Sequence, residues 1–175
     1  MHTIQYIAVQ ADSTDMAFAT VKNHLEAELG GHYDNSNAWF DWFVTGGGRW
    51  ASNEAAQYDD NFMDDVVDQD SPKFQEYLDK ANNWRQESLA EYLKESKELD
   101  LQKILNDIDM SSGNDFLVGM NLYPIKKVYD MTMGEWGADS YYFDIMNDTA
   151  SMLSMKNSLD NGAKDWYLVP VDFHF

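Results

Sequence analysis

A chain of 175 residues with 44% hydrophobic and 14% aromatic side chains can build a packed core and is too rich in rings to be disordered. Its 31 acidic and 12 basic residues give a formal net charge of -19, which repels nucleic-acid phosphates and anionic membranes and attracts basic partners. It has no cysteine, which excludes disulfides, thiolate nucleophiles and zinc–thiolate sites.

No apolar run approaches the roughly 20 residues of a membrane helix. The segment from Met1 to Gln5 has neither a basic stretch nor an apolar signal region. The expected location is therefore cytoplasmic. In chain order, His2 to Gln10 alternates apolar and polar residues and predicts a strand. Asp12, Ser13 and Thr14 offer helix caps, Phe18, Val21, Leu25 and Leu29 follow at helical spacing, and Gly30-Gly31 ends that helix. Trp39 to Val44 reads as a second strand, broken by Gly46-Gly47-Gly48.

Residues 51–115 hold 17 acidic and 6 basic residues and read as a helical acidic insertion in a single domain spanning 1–175. Within it, Tyr58, Phe62, Met63, Val66 and Val67 fall at helical spacing, so residues 54–70 predict an amphipathic acidic helix. Ser71-Pro72 opens the next helix, with Phe74, Tyr77, Leu78, Ala81, Trp84 and Leu89 as its stripe. Leu101, Ile104, Leu105 and Ile108 form another, closed by Ser111-Ser112-Gly113-Asn114. Leu122–Tyr129 and Tyr141–Ile145 read as strands, Thr149–Leu159 as a helix and Trp166–Phe175 as a final strand. Without the insertion the order is β-α-β-β-α-β. The expected fold is α+β, a ferredoxin-like antiparallel sheet carrying a helical acidic insertion.

Three sets of residues can carry function. In the first, the glycines Gly46, Gly47 and Gly48 can turn backbone N–H groups toward an anion, and Arg49 can clamp a carboxylate or phosphate. Asp41, Trp42 and Trp50 flank that turn, and the rings can stack on a base. Neither a Walker loop nor a dinucleotide fingerprint is present, and a plain tight turn with Arg49 paired to Asp41 fits the same residues. In the second, Asp172 and His174 share one face of the last strand about 7 Å apart, where an Asp can orient a His for acid–base work. A surface pair without chemistry fits them as well. The third set is Asp60, Asp64 and Asp68 at four-residue spacing, joined by Asp59 and Asp65. On a helix they repeat about every 6 Å, near the phosphate spacing of a DNA strand, or they form an ordinary solvated face. His24 and Glu28 read as a solvated helix pair, and His2 and His32 show no recognisable partner.

Two of these segments carry a resemblance. Phe40 to Trp50 resembles a W-D-W-(Y/F)-x-x-G-G-R-W signature, and Val171-Asp172-Phe173-His174 resembles a V-D-x-H ending. Both occur in uncharacterised small proteins of bacteriophages and prophages. Three glycines stand here for two, and Phe40 for a Trp. The resemblance implies a phage setting and implies that Asp41, Trp42, Arg49, Trp50, Asp172 and His174 belong together. It carries no activity.

The leading expectation is a counter-defence inhibitor. Its acidic, DNA-mimicking surface of Asp59, Asp60, Asp64, Asp65 and Asp68 would block a basic, nucleic-acid-binding host protein such as a nuclease or CRISPR-type effector. The alternative is a protein that binds, sequesters or hydrolyses a nucleotide-like anion through the glycine–Arg49–Trp50 turn, with Asp172 and His174 as its acid–base pair. A third class is self-association into a homo-oligomer. No complete catalytic constellation is visible, so the balance leans away from an enzyme, and no cofactor, direct nucleic-acid contact or membrane contact is expected.

Overall fold

The computed structural model describes residues 1–29, 38–107 and 121–175. The sheet is built on two long strands, β1 (His2–Gln10) and β5 (Trp166–His174), paired antiparallel along their whole length. Both are buried on both faces, because helices cover the sheet from either side. The polar positions of β1 are therefore inside. The Gln5 amide is fully buried and satisfied: its Nε2 donates to the Gly137 carbonyl at 2.7 Å, and its Oε1 accepts from Trp136 Nε1 at 2.8 Å.

The helix α1 (Thr14–Glu28) starts where Ser13 Oγ accepts the Met16 N–H, and it buries Ala17, Phe18, Val21 and Leu25 on one face of the sheet. The other face carries α2 (Pro72–Lys97), capped by Ser71 and opened by Pro72, which buries Phe74, Tyr77, Leu78 and Ala81. The remaining strands are short: β2 (Trp42–Thr45), β3 (Val67–Asp68) and β4 (Tyr142–Asp144). The helix α3 spans Leu101–Asp107, and α5 (Leu153–Asp160) buries Met155 against the α2 side. The expected helix end at Gly30-Gly31, His32, Ile108 and the Ser111–Asn114 closure lie outside the described residues.

Three expectations change. Leu122–Tyr129 is not a strand but lies mostly in the helix α4 (Tyr123–Met133). A short apolar run satisfies both periods, and the ends decide: Pro124 fits the first helical turn and Gly134 closes the helix in the left-handed conformation at φ +79°. Residues 54–70 do not form an acidic helix. They fold as turns, a 3-10 turn at Glu54–Ala56 and the strand β3. Their aspartates capture local backbone donors instead, Asp59 the N–H of Asn61 and Asp68 that of Asp70. Acids four residues apart also repel along a helix. Among the described residues, the insertion is thus irregular first and then helical over Pro72–Lys97 and Leu101–Asp107.

The sheet is mixed. Its order is β2-β5-β1-β4, with β3 also on β5 and β4 parallel to β1. The ferredoxin-like order departs at β2, which pairs with the last strand, β5, rather than with the next strand of the expected β-β unit. The α+β class holds, and β2 comes to lie beside the C-terminal strand.

Candidate functional site

The register of three strands assembles the site. His174 at the end of β5 stands opposite His2 of β1 on one side and Trp42 of β2 on the other. Two residues back on the same face, Asp172 stands between Ile4 and Val44. One row of the sheet end therefore reads Trp42, His174, His2, with a carboxylate beneath it.

That carboxylate organises the cluster. The Asp172 side chain is only 3% exposed. Its Oδ1 lies 2.8 Å from His2 Nδ1, and its Oδ2 accepts the Arg49 backbone N–H at 3.2 Å and lies 3.5 Å from Arg49 Nε. Arg49 Nη2 lies 2.6 Å from His2 Nε2. A guanidinium only donates, so Nε2 is the acceptor and Nδ1 carries the proton given to Asp172. His2 is thereby held in one tautomer, with its lone pair facing Arg49.

The glycine turn makes this approach geometrically feasible. Gly46, Gly47 and Gly48 all have positive φ, and the turn leads into a 3-10 helix at Gly48–Trp50. A Cβ on Gly48 would stand 2.5 Å from Asp172 Cβ and 2.7 Å from its Oδ2. The turn sends its N–H at Arg49 to a carboxylate already in the protein, and Gly46 N–H to the Pro170 carbonyl.

A second carboxylate–histidine pair lies alongside. His174 Nδ1 is 2.6 Å from Asp41 Oδ1, and that hydrogen bond holds the Asp41 carboxyl below the usual carboxylate range. The His174 Nε2 is 3.4 Å from the Met1 nitrogen. The His174 ring stacks on Trp42 at 5.2 Å and meets His2 edge-on at 4.9 Å. Trp42 and Trp50 lie 5.1 and 6.5 Å from the His2 ring, and the Arg49 guanidinium sits over Trp50 at 5.7 Å.

Of this cluster, Trp50 also lines a cleft of about 200 Å³ on the α2 face of the sheet, with Ile4, Pro170, Tyr77, Lys73, Lys80, Asp65 and Glu76. Tyr6 stacks on Tyr77 at 4.4 Å along its wall. Burial, followed by the charges of Asp65 and Glu76, pushes the Tyr77 hydroxyl up to about 12.

The glycine-turn residues Asp41, Trp42, Gly46, Gly47, Gly48, Arg49 and Trp50 and the terminal Asp172 and His174 are thus brought together at one sheet end. The pairing differs from the expected one: Asp172 bonds His2 rather than His174, His174 bonds Asp41, and Arg49 turns to Asp172 rather than Asp41. The same-face separation along one strand is too long for a direct hydrogen bond, whereas neighbouring strands stand closer. His2 was missed because its partner lies at the opposite end of the chain and no local pattern announces it. The five aspartates do not join this cluster. Asp59, Asp60, Asp64 and Asp68 are exposed, with Asp60 held by Lys22 at 2.9 Å, while Asp65 is buried and accepts the Ser52 N–H at 2.6 Å.

Among the described residues no group of three or more His, Asp or Glu is arranged to hold a metal, and no helix is long and apolar enough to cross a membrane. Compared with protein-family models, curated proteins and solved structures, the chain matches none.

Proposed function

We propose that this protein binds a small anionic ligand carrying an aromatic ring, of nucleotide type, at the sheet end formed by His2, Trp42, Arg49, Trp50 and His174. The observation that carries this reading is the setting of Arg49. It is one of two arginines in the chain. Its side chain is half exposed, yet a buried carboxylate and a histidine hold its guanidinium in place beside two exposed tryptophans. An arginine fixed in advance loses little entropy on gripping a phosphate. The other arginine, Arg85, donates to the Met131 carbonyl and is tied into the packing of α2 on α4.

Calorimetric titration and melting with nucleoside monophosphates and short dinucleotides test this. The expected result is binding and a raised melting temperature in the wild type, both lost in Arg49→Ala and kept in Lys164→Ala, an exposed lysine just before β5, at the opposite end of that strand from His174. A flat response across the panel rejects the reading.

A second reading keeps the inhibitor of a basic, nucleic-acid-binding host defence protein. It is supported by the charge of -19 and by exposed Glu87, Glu91 and Glu95 on α2, four residues apart and about 6 Å per step. Its partner should be captured from bacterial lysate at low salt, released at high salt, and lost in the triple Glu→Gln variant. Capture that ignores both salt and the triple variant rejects charge mimicry.

A further inference from the structure

We propose that the ligand is a phosphodiester joining two ring-bearing groups, a short ribonucleotide, and that His2 and His174 act on it as a base–acid pair with Arg49 on the phosphate. This rests on the binding reading above and adds a reaction to it.

Two histidines at one sheet end each have a carboxylate on Nδ1, Asp172 at 2.8 Å and Asp41 at 2.6 Å, and their rings are 4.9 Å apart. A carboxylate on Nδ1 leaves Nε2 as the atom that exchanges protons with a substrate; it faces Arg49 in His2 and the Met1 nitrogen at 3.4 Å in His174, and a substrate takes the place of each. The His2 Nε2 already faces a guanidinium at 2.6 Å. A phosphate oxygen is a better partner for that guanidinium than a neutral imidazole, so an arriving phosphate frees His2 Nε2 beside itself. Trp42 and Trp50 are 37% and 43% exposed, which gives one ring for each side of a dinucleotide. None of His2, Asp41, Trp42, Arg49, Trp50, Asp172 and His174 carries a hydroxyl or thiol. The nucleophile is therefore water or a group of the substrate, and the ribose 2′-hydroxyl next to the phosphate is the one the substrate itself holds in place. The charge of -19 disfavours a long polyanion and leaves a short phosphodiester as the tolerated form.

The step balances without a co-reactant. The 2′-oxygen bonds to phosphorus while His2 Nε2 takes its proton. The bond from phosphorus to the 5′-oxygen breaks, and protonated His174 gives its Nε2 proton to that oxygen. Arg49 neutralises the charge that gathers on the non-bridging oxygens. The products are a 2′,3′-cyclic phosphate and a free 5′-hydroxyl, and proton exchange with water resets both rings.

The test incubates the full chain with uridylyladenosine in the presence of a chelator and follows products by chromatography, while calorimetry measures binding of the 2′-deoxy analogue. The expected products are uridine 2′,3′-cyclic phosphate and adenosine. Loss of either histidine should slow cleavage at least about 100-fold, far more than it weakens binding of the analogue. His2→Gln accompanies His2→Ala, because it keeps a hydrogen-bonding side chain beside Asp172, and the melting temperature of each variant is checked first. An analogue that binds beside an uncleaved diribonucleotide overturns the acid–base pair and leaves the binding reading standing. No binding of either overturns both. Cleavage of the 2′-deoxy analogue overturns the substrate-borne nucleophile, and cleavage unchanged in both histidine variants overturns their role.

Discussion

Asp172 and His2 are 170 residues apart in the chain and 2.8 Å apart in the structure. The full-length antiparallel pairing of β1 with β5 brings them together, since His2 faces His174 and Ile4 faces Asp172. The contact sits where β1 and β2 begin, β5 ends and the glycine turn folds back. It therefore links the fold to the site: the carboxylate that orients His2 is also the one that anchors Arg49.

Asp172→Asn should separate these roles. The amide keeps the shape, but its charge is gone and its NH₂ group faces Arg49 or His2. The expected cost is about 2 kcal/mol, since hydrogen bonds to a charged, buried group are lost while Arg49 can still turn to water. Urea denaturation of Asp172→Asn, His2→Ala and the double variant reads this directly. The two changes should be non-additive, with a coupling of about 1 kcal/mol. Strict additivity would show that the pair does not act as a unit.

Gly48→Ala should be worse than its size suggests. The new methyl would stand 2.5 Å from Asp172 Cβ, on a backbone at φ +49°. Strain and overpacking together predict a loss of about 3 kcal/mol. Gly46→Ala meets the Phe62 carbonyl oxygen at 2.0 Å and should behave alike. Gly137→Ala meets nothing within 4 Å and should change stability by less than about 0.5 kcal/mol. Melting temperatures of the three variants rank the turn against this control. Equal values for Gly48→Ala and Gly137→Ala would show that the turn yields freely.

Much of this was legible from local signals. The strands β1 and β5, the capped starts of α1 and α2 and the alternation along the last strand announce themselves by period and cap. The glycine turn also declared itself, because three consecutive positive-φ glycines have few uses. Other features were set by tertiary context. The run from Leu122 suits a strand until Pro124 and Gly134 are weighed as helix ends. The aspartates of 54–70 sit at helical spacing, yet they prefer to bind nearby N–H groups in turns. His2 lacked any sequence cue because its meaning depends on β1 joining β5 from the other end of the chain, which no local pattern dictates.

Tyr77 supplies a prediction with a definite sign in pH. Its hydroxyl is pushed from 10.0 up to about 12, chiefly by burial against the sheet. The unfolded chain loses this proton near 10, while the folded one keeps it. The stabilising contribution is therefore complete below pH 10 and is lost as pH rises toward 12. A spectrophotometric titration should show a late tyrosinate phase that is smaller by one tyrosine in Tyr77→Phe. In the same variant, the fall in melting temperature between pH 10 and pH 12 should be shallower than in the wild type. Tyr6, stacked on Tyr77, is also raised by burial. An unchanged titration in Tyr77→Phe would assign the late phase to another ring and remove Tyr77 from the alkaline limit of the fold.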